Sequence, residues 1–374
     1  MSMFAAHHSH LAALAARDRL RQLTSRRGID FSSNDYLALA ASARLANAVT
    51  DAVARGVPVG SGGSRLLRGN SEEHEALEAE AARFFGVEAA LYFSSGYAAN
   101  TALFATLPQR GDLIVHDELV HASAHEGLRL GRAAFVPATH NDPQAFEDAI
   151  TAWRQAGGTG RPWIAVESLY SMDGDRAPLD ALAGIAARND AFLLIDEAHA
   201  TGVFGANGRG LAHHLDGREN VITLRTCGKA LGCEGALLCG PMAVRDFLVN
   251  RGRAFIFSTA PSPLMASAVR ESLRIIADEP GRRARLQTLV AAAERALARS
   301  GVVPSGSQIL PLILGDDALT MRVADMVQSA GFDVRGIRPP TVPAGTSRLR
   351  ISITLNVTET EIEALGDAVE AALR

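Results

Sequence analysis

No run of 18 apolar residues occurs anywhere in this 374-residue chain, so no segment reads as a membrane-spanning helix. The start, Met1-Ser2-Met3-Phe4-Ala5-Ala6-His7-His8, lacks the basic residues and unbroken apolar stretch of an export signal, and the expectation is a cytoplasmic protein. Cysteine is scarce as well. Cys227, Cys233 and Cys239 have five residues between neighbours, a spacing that fits no zinc site, and an odd, clustered set is a poor disulfide framework. They read as small buried hydrophobes. Nor is there an excess of one charge: 37 basic residues face 41 acidic ones, which leaves no electrostatic footprint for a nucleic-acid backbone or a membrane surface. What is present is 47% hydrophobic residues with 34 glycines and 15 prolines, the make-up of an ordinary folded protein. The length allows two or three domains, and a soluble α/β enzyme is the default reading.

Lysine is nearly missing. The basic residues are 36 arginines and one lysine, Lys229. An arginine-favouring composition accounts for the shortage, but a lone survivor points to a task arginine cannot do. A guanidinium stays protonated, whereas an ammonium can lose its proton and form a Schiff base.

From about Tyr36 to Asp278, alanine-rich helical runs alternate with compact apolar runs: Ala89–Phe93, Leu113–Val115, Trp163–Val166, Phe192–Ile195, Val221–Leu224 and Gly235–Leu238. Such alternation predicts βα units and a mostly parallel sheet covered on both faces. The break at Glu279-Pro280-Gly281 precedes a long helix (282–299), a strand at 309–314, a helix from Thr320, a strand at 349–353 and a final helix from Thr358. That pattern reads as a smaller α+β domain. The expected division is an N-terminal segment (1–36), a large domain (37–278) and a small C-terminal domain (279–374). Leu11 to Gln22 is read as a short amphipathic helix lying across the larger body.

Several strings imitate other chemistries. Asp196-Glu197-Ala198-His199 spells a helicase box, yet Gly228-Lys229 is followed by Ala230 and Thr223 stands where a phosphate-binding loop needs its first glycine. His121 and His125 have the i, i+4 spacing of a zinc protease, but Ala122 occupies the position of its glutamate, so no metal is expected. Gly60–Ser64 (GSGGS) fits neither the dinucleotide fingerprint nor the nucleophile elbow and reads as a tight turn.

One cofactor would unify what is left. Asp196 closes the apolar run Phe192–Ile195 and so sits at the carboxyl edge of the sheet, where α/β proteins bind ligands. A helix cap or a structural ion pair would also explain it. A carboxylate there can instead keep a pyridine nitrogen protonated, so that the ring accepts electrons. Lys229 follows on a glycine-flanked loop. Ser94-Ser95-Gly96-Tyr97 joins a strand to a helix whose free N–H groups make a phosphate cradle, although most such turns are only caps. Lysine, strand-end aspartate and phosphate turn together describe pyridoxal 5'-phosphate.

Seven strings occur in order: FSSNDYL at 31–37, GSGGSR at 60–65, SGYAAN at 95–100, SMDGD at 171–175, DEAH at 196–199 with Thr201-Gly202, TCGKALG at 226–232 and RPPTVPAGTSRLR at 338–350. On these the chain resembles the α-oxoamine synthases of the aspartate-aminotransferase fold (fold type I) over nearly its whole length. The resemblance implies a large domain with a mostly parallel central sheet, a smaller C-terminal α+β domain and a homodimer with shared active sites. The last string is most similar to the branch that joins L-alanine to a pimeloyl thioester, of CoA or of acyl carrier protein, with loss of carbon dioxide, in biotin synthesis. Relatives using glycine or serine, or an aminotransferase or lyase of the same fold, are the alternatives.

Residue by residue, the resemblance implies that Lys229 carries the cofactor and then acts as base, that Asp196 pairs with the pyridine nitrogen and that His121 stacks on the ring. It places Ser171 and His199 on the phenolic oxygen, and Ser95, Gly96, Tyr97 and Thr226 around the phosphate, with Ser258 and Thr259 reaching the phosphate of a partner subunit. His199 or His121 would assist proton movement. Arg350 would grip the amino-acid carboxylate, while Arg21 and Thr341 would line the substrate pocket. In the lysine loop the chain departs from the family pattern: Arg225 stands where a small residue is common, and Cys227 where an aromatic or serine is often found.

Overall fold

The computed structural model describes residues 2–374, which divide into two compact units. The larger comprises Leu37–Ser171 and Arg176–Arg283; the smaller takes in the residues up to Tyr36 together with Met172–Asp175 and Ala284–Arg374.

Seven strands form the sheet of the larger unit, in the order Ala89–Phe93, Ala236–Gly240, Val221–Thr226, Phe192–Asp196, Pro162–Glu167, Leu113–Asp117 and Ala134–Ala138. All run parallel except Ala236–Gly240, which is antiparallel to both neighbours. Alternation along each strand serves two cores. Leu194, Ile222 and Leu224 face Phe93, Leu103 and Phe104 on one side, while Leu193, Ile195 and Val221 face Phe146, Ile150 and Leu182 on the other. Burying each such side chain contributes about 2 kcal/mol. Six of the seven strands carry the apolar runs read from the sequence. The seventh, Ala134–Ala138, was not expected: it lies at the sheet's edge, has exposed residues and contains Pro137, so it lacks an apolar signature.

The smaller unit holds an antiparallel sheet in the order Arg335–Ile337, Ser347–Ser352, Ile309–Gly315. The N-terminal segment is part of this unit and not a separate one. Ile29–Asp30 pairs in parallel with Phe332–Asp333, and Ser352 N donates to Phe31 O at 2.8 Å. The expected boundary near 279 also moves. Helices Pro263–Asp278 and Pro280–Leu297 do break there, but Arg282 Nη1 donates to Leu37 O and Arg283 Nη1 to Ile276 O, which ties that first turn to the larger unit as far as Arg283. The N-terminal helix is Ala5–Ala15, earlier than the expected 11–22, and none of its residues is buried. Asp18, with φ of +54°, ends any continuation.

Candidate active site

The carboxyl edge of the large sheet collects the chemistry. Strand Phe192–Asp196 ends on Asp196, whose Oδ1 accepts from Ala198 N at 2.9 Å and whose Oδ2 accepts from Asn100 Nδ2 at 2.8 Å. Asn100 lies one turn inside helix Gly96–Thr106 and also donates to Ser123 Oγ at 3.0 Å. Ser123 in turn meets His121, the residue that caps helix Ala122–Leu130. Its Nδ1 accepts from Ser123 N at 3.2 Å and lies 2.7 Å from Ser123 Oγ. A backbone N–H can only donate, so Nδ1 holds the lone pair and the proton sits on Nε2. Burial holds His121 below the ordinary imidazole value; the pull of Asp196 opposes this and the charge of Lys229 adds to it.

Lys229 follows strand Val221–Thr226 on a short loop, with its Nζ 2.7 Å from His199 Nε2. Its charge and that of Asp196 both act on His121 and on Glu167, so lysine and aspartate address one small volume. A cavity there is lined by Asn100, His121, Glu167, Asp196 and Leu224, with Phe104 among its apolar walls.

Beside it is the turn Ser95-Gly96-Tyr97. Ser95 Oγ accepts from Ala98 N at 3.1 Å and starts the helix. A Cβ built on Gly96 would stand 3.7 Å from Thr226 Oγ1, so the helix N-terminus and the threonine hydroxyl face a common space. Unpaired helix N–H groups next to a hydroxyl suit a phosphate. Tyr97 is half exposed, as a residue meeting a ligand from outside would be. Nucleophilic amine, anchored carboxylate and anion cradle along one edge fit pyridoxal 5'-phosphate. Among the described residues no group of three His, Cys, Asp or Glu could hold a metal ion.

Ser171 stands beside the cavity, its N–H supporting the carboxyl of Glu167. Other expected residues stand elsewhere. Ser258 is half-buried and Thr259 exposed, on a segment fixed by Ala260 N donating to Gly63 O at 2.9 Å and Ser61 Oγ donating to Ala260 O at 2.7 Å. In the smaller unit, buried Arg350 donates through Nη1 to Ser352 Oγ at 2.7 Å and through Nη2 to Asn34 Oδ1 at 3.0 Å. In the same unit Arg21 Nη2 donates to Thr341 Oγ1 at 2.9 Å, joining two of the expected substrate residues. Cys227 and Cys239 are buried as expected, whereas Cys233 is only partly covered.

Asn100, Ser123 and Glu167 were not singled out in the sequence. Glu167 ends its strand opposite Asp196 in register, is 4% exposed, and burial, followed by the charge of Asp196, pushes its carboxyl up to about 8. Two signals pointed there: Asn100 is four residues beyond Gly96 on one helix face, and Glu167 closes an apolar run as Asp196 does.

The chain matches the family model "Aminotransferase class I and II" over residues 26–369. An 8-amino-7-oxononanoate synthase of Geobacter sulfurreducens is 42% identical over 336 residues, covering 88% of this chain and 85% of that protein. Among solved structures, a serine palmitoyltransferase from S. paucimobilis with a bound PLP–myriocin aldimine superposes with a TM-score of 0.89 at 25% identity, covering 99% of this chain and 97% of that one. The 8-amino-7-oxononanoate synthase of Francisella tularensis gives a TM-score of 0.78 at 28% identity, over 92% of this chain and 98% of that one. With this sheet, this lysine and these relatives, the chain belongs to the class I and II aminotransferase family of pyridoxal-phosphate enzymes, in its 8-amino-7-oxononanoate synthase branch.

Proposed function

We propose that the protein condenses L-alanine with a pimeloyl thioester, carried by CoA or by acyl carrier protein, releasing the thiol and carbon dioxide and yielding 8-amino-7-oxononanoate. The observation that carries this reading is the chain's one lysine, 2.7 Å from His199 at the sheet edge that also presents Asp196. Relatives about 40% identical over nine-tenths of the chain bear the name of that activity.

When bound, pyridoxal 5'-phosphate supplies a ring that spreads the charge left at the amino acid's α-carbon. The chain does the rest. Asp196, held by Asn100 and Ala198, would stand opposite the ring nitrogen, and its two donors fix where its carboxylate lies. Lys229 Nζ would hold the cofactor's aldehyde and, when free, would serve as the base that takes the alanine α-proton and gives it back, with His199 Nε2 beside it to share that proton. His121 covers the ring face. Ser171 and His199 serve the phenolic oxygen, while Ser95, Gly96, Tyr97 and Thr226 hold the phosphate. Arg350 takes the amino-acid carboxylate, for which its planar fork is suited, and Arg21 and Thr341 serve the acyl substrate. Ser258 and Thr259 complete the phosphate site of a second copy, in a cytoplasmic homodimer.

A second reading, serine with a long-chain acyl thioester, draws on the backbone agreement with serine palmitoyltransferases. The test is mass spectrometry of products formed by the cofactor-loaded protein with glycine, alanine, serine or threonine against acetyl, succinyl, pimeloyl and palmitoyl thioesters. One decarboxylated alanine–pimeloyl adduct is expected. A serine–palmitoyl adduct would move the substrate, and no decarboxylated adduct would overturn the reaction. Lys229→Arg should retain no cofactor after borohydride treatment and denaturation, because no other lysine exists.

A further inference from the structure

Behind the sheet edge that carries Asp196 and Thr226 lies a buried ionic cluster with no part in the reaction as described. Arg225 is fully buried. Its Nη2 donates to both oxygens of Asp216 at 2.8 and 2.9 Å, its Nη1 lies 3.4 Å from Glu197 Oε2 and also donates to Arg209 O, and its guanidinium stands 4.1 Å from the centre of the Phe85 ring. The side chains of Glu197 and Asp216 are buried as well, and Arg209 Nη2 lies 3.6 Å from Asp216 Oδ2. Glu197 Oε1 accepts from Ala212 N at 3.0 Å.

The arrangement follows from the pleat. Leu194 and Leu224 face the core on the side of helix Gly96–Thr106, as does Asp196 through its bond to Asn100. Each following residue therefore points the opposite way. Glu197 comes directly after Asp196, and Arg225 directly before Thr226. Leu224 O accepts from Glu197 N at 2.8 Å, so the two strands are still laddered at that level. The pair Glu197–Arg225 thus ties together, from behind, the two strand ends that present Asp196 and Thr226 in front.

A buried ionic set of this kind is seldom worth more to stability than well-packed apolar residues of the same volume. What it supplies is a fixed geometry, because a bidentate guanidinium fork tolerates little displacement. We infer that Arg225 is a positioning residue: paired with Glu197 and Asp216, it sets the separation of the strand ends carrying Asp196 and Thr226, and with it the span between the groups that hold the ring nitrogen and the phosphate. The inference rests on the reading that these two residues hold the cofactor.

The test uses the cofactor-loaded protein and three variants. Arg225→Met leaves two buried carboxylates facing one another across a gap and serves as the extreme case. The set Arg225→Met with Glu197→Gln and Asp216→Asn removes the charges and keeps the volume, while Arg225→Lys keeps the charge and loses the fork. Cofactor dissociation constant, induced circular dichroism of the cofactor's visible band and urea midpoint are measured for each. The neutral set and Arg225→Lys should unfold near the wild-type midpoint, yet bind the cofactor about tenfold more weakly and with reduced dichroism, because small displacements of a positioning group are costly. Wild-type affinity and dichroism in either variant would overturn the proposal. A fall in urea midpoint with both cofactor readouts unchanged would also overturn it and leave a purely structural cluster. Asp196→Asn separates the two readings: if it leaves the dichroism and affinity of the bound cofactor untouched, the assignment of the cofactor site has failed, whatever the Arg225 variants do.

Discussion

Replacing Glu167 by glutamine should make the protein more stable at neutral pH and leave it unchanged in acid. Glu167 is 4% exposed, and one carboxyl oxygen, Oε1, has no hydrogen-bond partner. Burial, then the neighbouring Asp196 charge, raises its carboxyl from the ordinary 4.5 to about 8, against the opposing pull of Lys229 and the N–H groups of Ser171 and His121. Below pH 4.5 the group is protonated whether the chain is folded or not, so it makes no difference. Between 4.5 and about 8 the unfolded chain gives up the proton while the folded one retains it, so stability falls with rising pH by about 1.4 kcal/mol per pH unit. By pH 7 the accumulated cost is roughly 3 kcal/mol. A glutamine cannot titrate and loses that slope. Urea denaturation followed by tryptophan fluorescence reads the right unit, since Trp163 is buried on the same strand as Glu167. The stability difference between variant and wild type should grow steadily from pH 5 to pH 8. Parallel curves over that interval would show that Glu167 is ionised in the fold, and the account of its environment would be refuted.

Three further outcomes are expected. Asn100→Ala removes the side-chain donor to Asp196 Oδ2 and should weaken cofactor binding about tenfold, as expected for a hydrogen bond to a charged group, measured by equilibrium dialysis. Arg350→Ala should raise the alanine KM about thirtyfold or more through loss of a buried charged partner, while cofactor affinity stays at the wild-type value; an unchanged KM would remove Arg350 from the substrate's carboxylate. Gly210→Ala places a Cβ against Glu197 Oε2 on a backbone with φ of +98°, and should lower stability by about 2 kcal/mol or more, seen as a fall in urea midpoint.

Local sequence determined the parts whose chemistry is carried by single residues or short runs. One lysine among 37 basic residues stood out by count, six of the large sheet's strands by apolar runs buried on both faces, and Asp196 by its place at the end of one of them. The strand and aspartate signals survive because each depends on neighbours within about five residues, and the lysine signal because it is a count that no fold alters. Only tertiary structure decided the rest. Asn100 finds Asp196 across 96 residues of chain and Arg225 finds Asp216 and Glu197 on another strand and loop, contacts whose partners no local pattern names. The edge strand Ala134–Ala138 forms because a neighbouring strand offers free backbone groups, and not because its own residues demand burial. The N-terminal residues belong with the C-terminal ones because Ile29–Asp30 meets Phe332–Asp333, a pairing of two-residue strands too short to carry any periodicity. A sequence states which side chains can do chemistry; which of them share a cavity, and at what pKa, is set by the desolvation and charge that folding brings to bear on them.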